Sequence, residues 1–487
     1  MTVNTSTNSQ THDRGSLPPE LEEALREIEN VFTVDKDKLQ QIIVRFEEEL
    51  TEGLEGNGKE GNIPMNPTWV MGWPTGAETG SYLALDLGGT NLRVCWITLN
   101  GRGSQPDMIQ DSYKLSPEIR SGSADELWSM VAGKLQDFIE KHQLGGTAED
   151  SLPFAFTFSY PATQDCIDQG ILQRWTKGLD IKGVEGHDVA AQVREAIEKR
   201  NLPIKLVALV NDTTGAMISS YYNDPDTIIG CIFGTGCNAA YMEHCSAIPK
   251  LPEGVPKDRE MAINCEYGAF DNSCRVLPRT KYDLEIDEQS PRPGQQRFEK
   301  LSAGHYLGEI FRLALLDLHE QQLIFKDHAA EHLRRPYVMD TGFLSAVEDD
   351  DSPDLAHTRK LYKEKLDLDV TRSELTVSRR LAVAIATRGA RLCTTGVAAI
   401  CKKQGLTSGH VAADGSVANK HPKFKKRWSD AMAEVMDWPA DRDEDPIVIT
   451  SAEDGSGIGA AVIAAMTLDR RGRGDDVGLS RVLSQGI

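Results

Sequence analysis

The chain has 487 residues, enough for more than one lobe and for large cores. Its 53 lysines and arginines face 74 acidic residues, and the formal net charge of −21 argues against a general nucleic-acid or anionic-membrane surface, though not against a small anion held by backbone N–H groups. Nine cysteines are scattered with no CxxC pair and no zinc-ligand spacing, as expected of reduced thiols in a cytosolic protein, and no apolar run approaches the length of a membrane span.

The first residues, as far as Ser16, are polar and lack an apolar signal core; a disordered tail over residues 1–17 is expected. From Pro18 the pattern turns helical, with Leu21, Leu25, Ile28 and Phe32 at helical spacing. A second amphipathic helix carries Leu39, Ile42, Ile43, Phe46 and Leu50, with Asp35 as its cap. Residues Ile63 to Pro67 read as a proline-rich connector.

Residues 83–97 then read as an apolar strand, a Gly88-Gly89 turn and a second apolar strand. Such a turn lets backbone N–H groups approach an oxyanion. Thr90 and Asn91 add donors, and Asp86 at the strand end is placed to hold a metal ion beside that anion. An ordinary hairpin with a glycine turn explains the segment equally well. From Ser81 to about Val210 strands and helices alternate, with a helix opening at Ala124 and apolar strands at 152–158 and 204–210. A second hairpin follows, residues 228–233 and 237–242 around Gly234-Thr235-Gly236. Two such hairpins suit a polyphosphate gripped from two sides. Neither is a P-loop, since each turn leads into a strand, and GxGxxG is absent from both.

A proline-rich surface loop spans about Ile248 to Pro256, and helical patterns resume from Phe298. The acidic run Glu348 to Asp351 reads as a solvated loop. The last clear helix starts at Gly457, and its tail is charged and glycine-rich.

Chemistry-bearing residues stand near these elements. Asn211-Asp212 follows a strand and is either a helix cap or a catalytic pair. Ser159 ends the 154–158 strand, and Thr176-Lys177-Gly178 puts a cation in a glycine-ended loop. Glu266-Tyr267 and Phe298-Glu299 each set a carboxylate beside an aromatic ring. Carboxylates and amides match paired hydroxyls and aromatics pack on C–H faces, so the set suits a polyhydroxylated ligand.

The strings LDLGGTNLR, FTFSYPATQ, LQRWTKG, VALVNDTTG, FGTGCNAAYME, INCEYGAFDN, PRPGQQRFEK, AADGSV and SAEDGSGIGAA, in this order, resemble the hexokinase family, most closely its fungal members. The resemblance runs from about Pro18 to about Met466. It implies an α/β fold of two lobes, each an actin-like, ribonuclease-H-like mixed sheet with flanking helices, with ATP and sugar in the cleft between them. The small lobe would hold residues 75–211 and the C-terminal helix 457–487, and the large lobe residues 18–74 and 212–456.

By the same resemblance Asp212 would be the base that takes the proton of the sugar 6-hydroxyl, and Lys177 would neutralise charge beside it. Ser159, Thr176, Lys177, Asn211, Asp212, Asn238, Glu266, Gln296 and Glu299 would bind the hexose. Asp86, Leu87, Gly88, Gly89, Thr90, Asn91, Arg93 and Thr235 would hold phosphates, and Asp86 a magnesium ion through water. Gly415, Ser416, Gly455 and Ser456 would line the adenosine site, with Thr341 and Ser345 further candidates there. Tyr267, Ala418, Arg292 and His305 depart from the wider family pattern, and none of them removes a catalytic group.

The implied activity is ATP-dependent phosphorylation of hexoses, glucose and with it fructose and mannose, by a cytoplasmic monomer or homodimer. A catalytically weak sugar sensor of the same fold is one alternative, disfavoured by the complete set of catalytic residues. An actin- or chaperone-like ATPase is another, disfavoured by the hexose constellation.

Overall fold

The structure, a computed structural model, describes residues 17–56, 63–147, 150–452 and 455–484. The tail expected to be disordered lies, up to Ser16, outside the described residues.

The described strands are, in chain order, β1 (Asn66–Met71), β2 (Thr79–Leu87), β3 (Asn91–Asn100), β4 (Asp107–Lys114), β5 (Leu152–Phe158), β6 (Ala162–Thr163), β7 (Ile171–Leu172), β8 (Ile204–Val210), β9 (Thr227–Phe233), β10 (Cys237–His244), β11 (Glu260–Asn264), β12 (Gly409–Asp414) and β13 (Ile447–Ser451). Both expected hairpins form. β2 and β3 pair antiparallel across the Gly88-Gly89 turn, with Asp86 opposite Arg93. β9 and β10 do the same across Gly234-Thr235-Gly236.

Each hairpin nucleates a mixed sheet. One runs β4-β3-β2-β5-β8, with β5 parallel to β2 and β8 parallel to β5. The other runs β1-β11-β10-β9-β12-β13, with β12 parallel to both β9 and β13. The strands that flank these parallel pairings are buried on both faces and read as apolar runs, as in Phe154–Phe158 and Leu206–Val210.

Part of the proline-rich connector is strand, which corrects its reading as a link. Asn66 and Pro67 open β1, where Pro67 pairs with Ile263. β1 is the edge of its sheet, where a missing N–H costs nothing.

The helices follow their apolar periodicity. Pro19–Phe32 buries Leu21, Leu25, Ile28 and Phe32. Lys36–Glu55 is capped by Asp35, whose carboxylate accepts from Lys38 N at 2.8 Å. The helix Asp212–Asn223 packs on β9 and β10, and Gly455–Gly472 packs on β2, β5 and β8. These two helices cross where Gly215 meets Gly459; a Cβ on Gly459 would lie 2.0 Å from the Gly215 oxygen. Glycine is needed there so that backbone can touch backbone, and the contact ties one sheet to the other.

Contacts divide the chain into two compact units. Residues 35–278, 287–305 and 389–484 contain both sheets. The other unit, residues 17–34, 279–286 and 306–388, contains no strand among its described residues and has its own apolar core, including Leu25, Phe311, Leu344 and Leu381. Inside it Arg388 and Asp283, both 0% exposed, pair through two hydrogen bonds of 2.7 and 2.8 Å. The acidic run is only partly solvated, which corrects the loop reading. Glu348 ends the helix Thr341–Glu348 and is buried, and so is Asp350. Asp350 accepts from Ser352 N at 2.9 Å and Thr358 N at 2.7 Å. Burial works against its charge, yet hydrogen bonds, first from the Ser352 hydroxyl and then from Thr358 and the Ser352 N–H, hold its pKa down at about 2. Among the described residues no helix is long and apolar enough to cross a membrane.

Candidate active site

Strand ends and turns of both sheets converge on one pocket. The end of β5 supplies Ser159, and the loop after β7 supplies Thr176 and Lys177. Asn211 and Asp212 follow β8; Asn238 stands on β10; Glu266 follows β11; Gln296 precedes the helix Arg297–Ser302 and Glu299 lies in its first turn. Every residue expected to meet the hexose therefore lines this pocket. Lys177, Glu266 and Gln296 all hold left-handed backbone, at φ 55°, 55° and 53°. Such conformations cost free energy in residues with a side chain, and they cluster at sites whose geometry the surroundings impose.

At Asn211-Asp212 the structure shows a helix cap and, beside it, a carboxylate that lines the pocket. Asn211 is the cap: its side chain accepts from Thr213 N at 2.9 Å. Asp212 is the first helical residue. Its Oδ1 accepts from the Thr213 N–H at 2.8 Å and the Thr213 hydroxyl at 3.2 Å, while Oδ2 lies 3.4 Å from Lys177 Nζ. Lys177 Nζ also donates to the Ser159 carbonyl at 2.8 Å.

The carboxylates opposite are held by amides. Asn264 Nδ2 donates to Glu266 Oε1 at 2.8 Å, and Asn238 Nδ2 reaches the same oxygen at 3.4 Å. Asn238 Oδ1 accepts from Glu266 N at 2.9 Å. Glu299 Oε2 accepts from Cys237 N at 3.2 Å. Among the described residues Glu266 Oε2 and Glu299 Oε1 accept no hydrogen bond, and the buried Oε1 of Gln296 is likewise without a donor. The pocket thus presents unpaired acceptors, the complement of several hydroxyl donors.

Electrostatics separates the charged groups. Burial pushes the Glu299 carboxyl up to about 7 and also raises that of Glu266. At Asp212 burial pulls the same way, but Lys177, the Ser159 hydroxyl and the Thr213 N–H together hold the carboxyl below its ordinary value. At Lys177 burial opposes the charge, and the carboxylates of Asp212, Glu266 and Glu299 outweigh it, so the ammonium is held above its ordinary value. Asp212 and Lys177 are both ionised at neutral pH.

The glycine turn lies against this pair. Gly88 N donates to Asn91 O at 3.0 Å, closing the turn Leu87 to Asn91, and a Cβ on Gly89 would sit 2.9 Å from Lys177 Cβ. Asp86 Oδ2 accepts from Arg93 at 2.6 Å and from the Ser456 hydroxyl at 2.9 Å. Ser456, read as an adenosine-side residue, thus stands beside Asp86, and Gly455 precedes it at the start of the helix Gly455–Gly472. Gly415 packs on the Phe233–Gly234 peptide beside Thr235, and Ser416 opens the helix Ser416–Lys420. Thr341 and Ser345 belong to the helical unit, on the helix Thr341–Glu348 capped by Asp340.

Sequence reasoning passed over three residues. Asn264 and Thr213 orient Asn238, Glu266 and Asp212, and both lie inside the motifs already singled out. Tyr160, 1% exposed, directly follows Ser159. Of the departures from the family pattern, Tyr267 is buried edge-on against Phe46 and Phe298, with ring centroids 5.5 and 5.7 Å away.

Two sequence models of hexokinases match, over residues 24–222 and 228–466. The chain is 53% identical to the hexokinase of Emericella nidulans over 95% of this chain and 94% of that one. It is 49% identical to hexokinase-1 of Saccharomyces cerevisiae, over 95% of this chain and 96% of the yeast protein. The solved structure of the hexokinase from Schistosoma mansoni complexed with glucose superposes with a TM-score of 0.83 at 35% identity, covering 92% of this chain and 99% of that one. With relatives this similar along nearly its whole length, and with two mixed sheets converging on one polar pocket, the chain belongs to the hexokinase family.

Proposed function

We propose that this enzyme transfers the γ-phosphoryl group of ATP to the 6-hydroxyl of a hexose, D-glucose and with it fructose and mannose, releasing hexose 6-phosphate and ADP at the first step of glycolysis. The observation that carries this reading is the pocket itself, where Asp212 and Lys177, 3.4 Å apart, face unpaired acceptors on Glu266, Glu299 and Gln296. The structural relative complexed with glucose supports the same ligand class.

In this reading Glu266, Glu299, Asn238 and Gln296 bind the sugar hydroxyls and turn the 6-hydroxyl toward Asp212. Asp212 accepts its proton as the oxygen attacks the γ-phosphate, and the fixed charge of Lys177 stabilises charge developing on the transferring group. Phosphoryl transfer requires positioning and charge neutralisation more than covalent help. The Gly88-Gly89 turn, Thr90, Asn91 and Thr235 hold phosphates, and Gly415, Ser416, Gly455 and Ser456 belong to the nucleotide side, with Thr341 and Ser345 as outlying candidates.

A magnesium ion held through water fits Asp86. Its Oδ2 is taken by Arg93 and Ser456, while Oδ1 carries no hydrogen bond among the described residues, and one carboxylate plus nucleotide phosphates is a common setting for this ion. When bound, the ion supplies charge neutralisation at the phosphates.

Small-lobe groups, Ser159 and Lys177, and large-lobe groups, Glu266 and Glu299, both reach the sugar, so a hexose favours closure of residues 75–211 on residues 212–456. Closure keeps water from the γ-phosphate until sugar is present. We place the enzyme in the cytoplasm, as a monomer or homodimer. The test is ADP release from magnesium ATP with and without glucose. Sugar-dependent release is expected, with slow release stimulated by xylose, which lacks the carbon bearing the 6-hydroxyl. Well-folded protein without sugar-dependent release would favour the sensor alternative.

A further inference from the structure

Tyr160 joins the sugar side of the pocket to the glycine turn. Its hydroxyl donates to the Gly88 carbonyl at 2.9 Å, and its ring lies under Lys177, with Nζ 5.5 Å from the ring centroid. The ring is fixed in turn by Trp175, edge-on at 4.8 Å, and by Phe158 at 5.0 Å. The neighbouring Ser159 N–H donates to the Leu87 carbonyl at 3.4 Å, so residues 159–160 lie along residues 87–88.

The consequence follows from peptide geometry. In a trans peptide the C=O and the next N–H point in opposite directions. Holding the Gly88 carbonyl on the buried Tyr160 hydroxyl therefore turns the Gly89 N–H away from the interior. That N–H makes no hydrogen bond among the described residues, and Gly89 is the residue that touches Lys177. We infer that Tyr160 is a positioning residue, whose hydroxyl fixes the Gly88–Gly89 peptide so that the Gly89 N–H faces a transferring phosphoryl oxygen beside Lys177. The inference rests on the phosphotransfer reading above and adds to it a residue that touches neither sugar nor nucleotide.

Tyr160→Phe removes one oxygen and keeps the ring under Lys177. Losing a preorganised donor outright costs on the order of 10²–10³ in kcat, and a peptide freed to rotate still presents its N–H part of the time, so a fall of about tenfold is expected. The KM for glucose and its Kd by tryptophan fluorescence should stay at parental values, and Tm should fall by no more than about 2 °C, since one hydrogen bond is worth about 1 kcal/mol. Binding of ADP with tetrafluoroaluminate and glucose, which mimics the transferring group, should weaken by the same factor as kcat, while ADP binding is unchanged. Tyr160→Leu, which also removes the ring beneath Lys177, should in addition raise the KM for glucose. A kcat within twofold of parental in Tyr160→Phe overturns the assignment. So does a lower kcat accompanied by an equal loss of glucose affinity or by a Tm lowered by more than about 5 °C, since that marks a merely structural role. If the unsubstituted enzyme releases no ADP with glucose, the phosphotransfer reading itself falls.

Discussion

Replacing Asp212 by Asn separates its two attachments. Oδ1 accepts from the Thr213 N–H and hydroxyl, and an amide oxygen does the same. The cap of the helix Asp212–Asn223 is Asn211, which is untouched. The fold should therefore survive, with Tm within about 2 °C of parental, the shift expected when stability changes by less than ~1 kcal/mol. At Oδ2 the substitution puts an NH₂ group where a carboxylate faced Lys177 at 3.4 Å. Lys177 stays charged because Glu266 and Glu299 also hold it. What disappears is the proposed acceptor for the 6-hydroxyl proton. Loss of a general base costs roughly 10²–10⁴ in rate, about 3–5.5 kcal/mol of transition-state stabilisation. Glucose affinity should change less than about tenfold, since the other acceptors of the pocket remain, an amide still hydrogen-bonds the 6-hydroxyl, and exchanging a charged partner for a neutral one costs about 1 kcal/mol. The assay is coupled ADP release for kcat, fluorescence titration for glucose Kd and a thermal melt for stability. A kcat within tenfold of parental, with Kd and Tm unchanged, would reduce Asp212 to the start of a helix and refute the base assignment.

Burial raises the Glu299 carboxyl from an ordinary 4.5 to about 7, so the folded chain keeps a proton that the unfolded chain has released. Its contribution is full below pH 4.5 and lost as pH rises through about 7, by a little over ~3 kcal/mol at most; Glu299→Gln should flatten this decline in sugar-free melts between pH 5 and 7.5, and an identical decline in both proteins would disprove the assignment. Glu266→Ala and Glu299→Ala should each raise the KM for glucose about tenfold or more, the loss of a charge-assisted hydrogen bond, and a change confined to the KM for ATP would misplace them. Arg388→Met leaves the fully buried Asp283 without its bidentate partner, so urea unfolding should show a loss of about 3–5 kcal/mol; a loss under 1 kcal/mol would mean that water reaches the pair.

Local chemistry made much of this protein legible from its residues. Apolar periodicity located the helices Pro19–Phe32 and Lys36–Glu55, because burial of Leu21, Leu25, Ile28 and Phe32 needs only that they share one helix face. Glycine pairs between apolar runs marked both hairpins. The residues that line the pocket were legible for a different reason: they lie in short strings whose chemistry and order match a known family.

What the sequence did not disclose depends on how the chain folds back on itself. β1 hides behind Pro67, which reads as a break until β11, nearly two hundred residues later, makes it a sheet edge. Asp350 looks like a solvated charge until Ser352 and Thr358 fold back as its donors. Lys177, Glu266 and Gln296 carry no local signal for left-handed backbone, since the surrounding packing imposes it. Ser456 meets Asp86 only because Gly459 lets its helix press onto Gly215. The sequence by itself determined most of the helices and strands and which groups can do chemistry, because those depend largely on neighbours within a few residues. Only the tertiary structure decided that Asp212 faces Lys177 with two orphaned carboxylate oxygens opposite, because distance and burial are set by how both sheets bring remote strand ends together.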